Sequence, residues 1–179
     1  MLVGLGGNPM TTSQRVSLSI HRLGVFVAAI MLLITSMADA EVGREIATCG
    51  ESSGYGYYPK AGLAAANNDA GKWIEDGISG GKFTLTQTSK KEFDLLITDT
   101  SGKVFSAKQD GGIVALTGAT NGAVSVVVSY PATTVTETYT FFRTADGKAE
   151  AMWTSNKGGG APIMKVTAFR ADCSFFAFQ

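Results

Sequence analysis

Within residues 82–169, hydrophobic and polar positions alternate in short runs that are separated by turn residues. In one such run Phe93, Leu95 and Ile97 share a face, and the residues between them lie on the opposite face. Alternation with a period of two is typical of a β-strand that buries one face. We therefore expect a succession of strands rather than helices in this part of the chain.

The turn residues indicate how these strands connect. The pairs Asn121-Gly122 and Asp146-Gly147 are strong signals for tight hairpins, and Pro131 is expected to end a strand because proline cannot donate to the ladder. The last strand is predicted at Ile163–Phe169. Seven or eight short strands joined in this way predict an all-β fold, an antiparallel meander that forms a small up-and-down barrel or a strongly curved sheet.

The segment before the strands is rich in glycine and tyrosine. Residues 41–48 are expected to be a polar lead-in, and residues 49–59 follow with glycines that permit a tight path. The tyrosines there predict either an aromatic lip around a ligand or a cover for an open end of the sheet. Residues 60–71 predict a short helix or an irregular loop. The candidate ligand-binding residues are aromatic: Tyr55, Tyr57, Tyr58, Trp73 and Trp153.

Three carboxylates are candidate functional groups: Glu75, Asp76 and Glu137. Glu75 and Asp76 are adjacent, so on an extended chain they would point to opposite faces, and a solvated turn is the favoured interpretation. Glu137 alternates with Val135 and Tyr139, which would place it on a buried face. A slip of one residue or a bulge would return it to solvent, and this second interpretation is the favoured one. A buried carboxylate needs a partner or a raised pKa, and such groups are enriched at functional sites.

The first forty residues have the pattern of a signal peptide. Arg15 and Arg22 precede the apolar run Leu23–Ile34, which ends in the small-residue pattern Ala38-Asp39-Ala40. This run is shorter than the roughly 20 residues that a membrane-spanning helix needs. We therefore predict cleavage after Ala40, a periplasmic or secreted protein, and no stable membrane insertion after cleavage.

The mature chain is then a single domain, residues 41–179. Translation begins at Met1 or at Met10, and the second start would give a signal peptide of more usual length.

The mature chain has thirteen lysines and arginines against fourteen acidic residues, and these are interspersed. Without a basic stripe, nucleic-acid binding is not expected.

The chemistry available to the mature chain is narrow. The only histidine of the full sequence, His21, belongs to the predicted signal peptide, so the mature chain has none, and Ser-His-Asp catalysis, Cys-His catalysis and histidine-ligated zinc are excluded for it. The glycine-rich loop Asn156–Gly160 lacks the spacing of a phosphate-binding loop. We expect no enzymatic activity, no metal site and no cofactor.

Two cysteines, Cys49 and Cys173, lie near the two ends of the mature chain. In an oxidising compartment an even number of cysteines favours a disulfide over two free buried thiols. A bridge closing so long a loop stabilises a fold by about 4–5 kcal/mol in the chain-entropy model. It would also hold the glycine- and tyrosine-rich stretch against the last strand.

The stretch Cys49-Gly50-Glu51-Ser52-Ser53-Gly54-Tyr55-Gly56-Tyr57-Tyr58, together with the closing Ala171-Asp172-Cys173, resembles a family of small exported proteobacterial proteins of unknown function. The resemblance extends over most of the mature chain. It implies export and a single disulfide-closed domain, and it implies no activity.

Two functions remain open on the sequence. The first is a non-catalytic binding protein for a small apolar or sugar-like ligand, for which a pocket lined by the candidate aromatic residues would be the distinguishing sign. The alternative is an interaction or inhibitor module that docks to another exported protein, for which an exposed apolar patch would be the sign.

Overall fold

The computed structural model describes residues 43–65 and 68–178, so the predicted signal peptide lies outside the described residues. These described residues form one compact unit. Within them, ten antiparallel strands build a single sheet. Their bounds are β1 Arg44–Tyr57, β2 Trp73–Ile78, β3 Lys82–Ser89, β4 Glu92–Thr98, β5 Val104–Ser106, β6 Ile113–Thr120, β7 Ala123–Tyr130, β8 Val135–Arg143, β9 Ala149–Lys157 and β10 Lys165–Phe176.

The sheet is curled into a half-barrel, which confirms the predicted all-β, strongly curved antiparallel fold. Strands β6 to β10 follow one another as a meander, and so do β3 to β5. The two series are joined by β1, which pairs with β10 on one side and with β3 on the other. The curl brings β4 close to β6, near opposite ends of the strand order.

Strand β1 is the main difference from the sequence prediction, which took residues 41–48 as a lead-in and residues 49–59 as a lip or cover. Residues Arg44–Tyr57, which include most of both stretches, form one central strand of 14 residues. Its first part pairs with β3 and its second part pairs with β2, while β10 runs along the other side with irregularities around Cys49. The prediction was wrong because glycine and polar residues in this strand mask its alternation, and its pairing partners are far away in the chain.

Strand β2 corrects the predicted turn at Glu75 and Asp76. These residues lie within Trp73–Ile78 and pair with the second half of β1. As alternation requires, Glu75 is exposed and Asp76 is half-buried. The last strand, β10, also extends beyond the predicted end at Phe169 and includes Cys173.

The short connections agree better with the sequence. Asn121-Gly122 joins β6 to β7, and β7 ends at Tyr130, directly before Pro131. In the segment where a short helix or loop was expected, the described residues include a 3-10 turn at Gly62–Ala64. No helix within residues 43–65 and 68–178 is long and apolar enough to span a membrane.

The core lies on the inner, concave face of the sheet, where alternate side chains of neighbouring strands meet. Each large apolar side chain that is fully buried there stabilises the fold by roughly 1.5–3 kcal/mol. Members of this core with little or no exposure include Ile46, Leu85, Leu95, Val124, Val126, Val128, Tyr139, Phe141, Trp153 and Phe169.

The predicted disulfide between Cys49 and Cys173 is present. The two residues lie opposite each other on β1 and β10, so the bridge joins two neighbouring strands. It therefore crosslinks two strands inside the sheet rather than fastening a cover to its edge.

A candidate ligand-binding cavity on the concave face

The five aromatic residues proposed from the sequence do not come together in one place. Tyr55 and Trp73 are 54% and 57% exposed. The ring of Trp73 lies 5.7 Å from that of Tyr57, on the neighbouring strand. Tyr58 belongs to an ion-pair cluster described below, and Trp153 is only 6% exposed within the core. Alternation along β1 separates Tyr55 and Tyr57 from the concave face to which Trp153 contributes.

A cavity of about 350 Å³ opens on the concave face beside Trp153. We call it the concave cavity. Its lining comes from the inner faces of β8 and β9, from β3, and from the residues 78–82 and 97–100 around two turns. The side chains that matter below are Phe83, Ile97, Glu137, Tyr139, Trp153 and Lys157. Its volume lies in the range of about 300–1,000 Å³ that is usual for small-molecule sites.

Three aromatic rings form one wall of the concave cavity. The indole of Trp153 stacks on Tyr139 with ring centroids 5.3 Å apart and an interplanar angle of 12°. Phe83 lies 5.5 Å from Tyr139 and meets Trp153 edge-on at 6.3 Å. The indole nitrogen of Trp153 donates to the Ser52 hydroxyl at 3.0 Å, so the tryptophan is held by a buried hydrogen bond as well as by packing.

Glu137 places a carboxylate in the same cavity. Its Oε2 accepts a hydrogen bond from the Tyr139 hydroxyl at 2.8 Å, and its Oε1 accepts one from Ser155 at 3.2 Å. Burial, followed by the negative charge of Glu137, raises the pKa of Tyr139 well above its usual value, so this hydroxyl stays protonated and donates. The structure thus keeps Glu137 on the inner face, which was the less favoured of the two interpretations of its register.

Three further charged groups line the concave cavity. Lys82 is exposed, and Lys157 and Asp99 are half-buried. Asp99 is occupied by its own turn, because it accepts hydrogen bonds from the backbone N–H groups of Ser101 and Lys103. The bonds within this turn, led by the Ser101 hydroxyl, lower the pKa of Asp99.

A second set of polar side chains lies outside the cavity lining, where β2 and β10 flank β1. In this ion-pair cluster Asp76 accepts hydrogen bonds from Lys165 Nζ at 2.9 Å and from the Tyr58 hydroxyl at 2.7 Å. Burial alone would raise the pKa of Asp76, but these bonds and the charge of Lys165 outweigh it and lower that pKa. Gly56 leaves the space for the cluster, since a Cβ there would lie 2.9 Å from Asp76 Oδ2 and 3.1 Å from the Tyr58 ring.

The arrangement is suited to holding a molecule. The aromatic rings and Ile97 offer apolar contact, and Glu137, Lys157 and nearby hydroxyls offer hydrogen bonds to polar atoms. Among residues 43–65 and 68–178, no group of three or more acidic, cysteine or histidine side chains is arranged to hold a metal ion. Sequence reasoning selected Trp153, but it gave little weight to Glu137 and missed Tyr139 and Phe83, whose alternation signalled only a buried face.

Comparison of the chain with protein-family models, with curated proteins and with solved structures finds no match. The resemblance to a family of small exported proteins therefore stays a prediction.

Proposed function

We propose that this is an exported, non-catalytic binding protein for a small apolar or sugar-like ligand, which it holds in the concave cavity. The observation that carries the proposal is an opening of about 350 Å³ lined by stacked rings and a fixed carboxylate. A core that served packing alone would fill this space, because protein interiors are close-packed and tolerate few voids larger than a water molecule.

The chemistry of the lining suits a ring with polar substituents. The Trp153 and Phe83 rings and Ile97 provide apolar contact, and the Glu137 carboxylate fixes orientation. Export is supported by the signal-peptide pattern and by the disulfide, which is typical of oxidising compartments. Sequencing the N-terminus of the purified protein tests export, and we expect the mature chain to begin at Glu41.

Native mass spectrometry tests the binding function directly. The protein is purified from its natural host under gentle conditions, and we expect a co-purified small molecule to add a discrete mass. Ser79→Phe, in a turn that lines the cavity, should abolish the added mass, because the new ring occupies the opening. Ser89→Phe, also exposed but away from the lining, is the matched control and should retain it. An unliganded protein that also binds nothing in a metabolite screen would refute the proposal.

The second candidate function is docking to another exported protein. It is favoured by exposed apolar side chains on the edge strands: Ile113 and Leu116 on β6 and Val104 on β5 are 60%, 43% and 57% exposed. Unpaired edges of this kind can pair with another chain. If this function is correct, the native preparation carries a partner chain that Leu116→Lys releases and Ser79→Phe does not.

A further inference from the structure

We propose that the concave cavity takes a small organic ammonium ion, with the nitrogen beside Glu137 and the apolar body against Trp153 and Tyr139. This inference rests on the proposed function, because it names the chemical class of the ligand for the same cavity.

The first observation is that Glu137 has no cationic partner among the residues that the structure describes. Both of its carboxylate oxygens accept hydrogen bonds, but the donors are the neutral hydroxyls of Tyr139 and Ser155. Across residues 43–65 and 68–178, no lysine or arginine nitrogen forms an ion pair with this carboxylate. A half-buried carboxylate without a cation loses hydration that hydroxyls replace only in part, so a ligand that brings a positive charge is stabilised there.

The second observation is the apolar wall next to this carboxylate. Trp153 and Tyr139 stack on each other and are only 6% and 3% exposed, so they offer the cavity a narrow apolar border rather than open ring faces. Phe83 and the half-buried Ile97 extend this border. The Tyr139 hydroxyl donates to Glu137, so the carboxylate lies directly beside the border. One small molecule can therefore place a charged nitrogen at the carboxylate and an apolar body against the wall.

The two lysines that line the cavity argue against an ammonium ligand. Lys82 and Lys157 would favour an anionic ligand, since both line the opening. Lys82 is exposed, however, so water and salt screen its charge, whereas Glu137 and Lys157 are half-buried. The carboxylate is also the group that two hydrogen bonds hold in a fixed position. The two possibilities make opposite predictions, which the following experiment separates.

Three probes with the same ring and different charge test the proposal: benzylamine, benzyl alcohol and benzoate. The mature protein carries Trp73→Phe, so that tryptophan fluorescence reports only Trp153, and each probe is titrated at pH 7. We expect benzylamine to bind about ten-fold or more tightly than benzyl alcohol, as a charge-assisted hydrogen bond implies. Benzoate should bind most weakly.

Variants connect the preference to the carboxylate. Glu137→Gln should bring benzylamine to within about two-fold of benzyl alcohol, since the nearly isosteric amide keeps the shape and loses the charge. Glu75→Gln, an equal change of charge on an exposed residue outside the cavity lining, should keep the preference. Circular dichroism checks that each variant is folded, and the comparison of probes on the protein with native Glu137 does not depend on any of these variants.

Each outcome bears on a different statement. Equal binding of benzylamine and benzyl alcohol, or tightest binding of benzoate, overturns the ammonium assignment and leaves the binding function standing. A preference for benzylamine that survives in Glu137→Gln also overturns it. If no probe binds and the native protein carries no small molecule, both the assignment and the proposed function fail.

Discussion

Replacing Asp76 with asparagine tests whether the ion-pair cluster holds β2 and β10 together across β1. Asp76 lies on β2 and Lys165 lies on β10, and both strands pair with β1. Asparagine keeps the size of the side chain but removes its charge. Lys165 would then remain beside a neutral amide in a position where only 21% of its side chain is exposed.

The structure sets the size of the effect. Asp76 accepts hydrogen bonds from Lys165 and Tyr58, and its side chain is only 17% exposed. A hydrogen bond to a charged group contributes about 1.5–3 kcal/mol to stability. Because asparagine retains some hydrogen bonding and water reaches part of the cluster, we expect a loss of about 2 kcal/mol in the free energy of unfolding. For a domain of this size that lowers the Tm by roughly 6–10 °C.

Urea unfolding at pH 7 measures the loss, and a double-mutant cycle with Lys165→Met isolates the pair. We expect a coupling energy of about 1–2 kcal/mol between Asp76 and Lys165. Asp146→Asn is the control, since Asp146 pairs with Lys148 in an exposed position. The exposed pair should contribute less than the cluster does.

The pH dependence gives a second check with a definite sign. The folded-state pKa of Asp76 is lowered, because the bonds and charge from Lys165 and Tyr58 outweigh the effect of burial. The contribution of Asp76 to stability is therefore fully present above the pKa of aspartate in the unfolded chain, near 4. It is lost as the pH falls through the lower pKa of Asp76 in the folded state. The pKa of Lys165 is raised despite burial, so its contribution is lost only as the pH rises above about 10.

The difference in stability between the wild-type protein and Asp76→Asn should thus be constant near neutral pH and shrink below about pH 4. A coupling energy near zero, or a difference that does not change in acid, would show that the cluster does not join β2 to β10.

Three further predictions concern the central strand and its neighbours. Replacing both Cys49 and Cys173 with alanine should lower the free energy of unfolding by about 5 kcal/mol at most, since the bridge spans a separation of 124 residues, and urea curves with and without reductant measure this. Gly54→Ala should destabilise the protein by at least about 1–3 kcal/mol in thermal unfolding, because the added carbon would overlap the backbone of β10. Gly50→Ala is the control, since a carbon added there meets nothing within 4 Å and should not destabilise the protein in this way. Ser52→Ala should lower the free energy of unfolding by about 1–3 kcal/mol, because the buried indole N–H of Trp153 loses the hydroxyl to which it donates. A urea midpoint equal to that of the wild-type protein would contradict this.

The strands between Lys82 and Tyr130 show what local sequence can predict. Alternation of apolar and polar residues, with Asn121-Gly122 at a turn, was enough to predict antiparallel strands because the turn and the buried face are both encoded within a few residues. The strand Arg44–Tyr57 shows the limit. Its glycines and polar residues give no clear alternation, and its pairing with β2, β3 and β10 involves distant parts of the chain.

The candidate site shows the same division. The aromatic residues of β1 looked like a ligand-binding lip, but an extended strand sends Tyr55 and Tyr57 away from the concave face. Trp153 does line a cavity, next to Tyr139 and Glu137. Sequence spacing placed Glu137 on an apolar face, but a slip of one residue would have moved it to solvent, and only pairing with β7 and β9 fixes its register.

The sequence by itself therefore determined the class of fold, the disulfide and the hairpins at Asn121-Gly122 and Asp146-Gly147, since these depend on period, turn chemistry and cysteine number. The tertiary structure decided that the glycine- and tyrosine-rich stretch is a central strand, and that one carboxylate without a cationic partner lies beside stacked rings in a cavity. The physical reason is that strand pairing is non-local: which side chains meet across a sheet depends on the register between segments far apart in the chain.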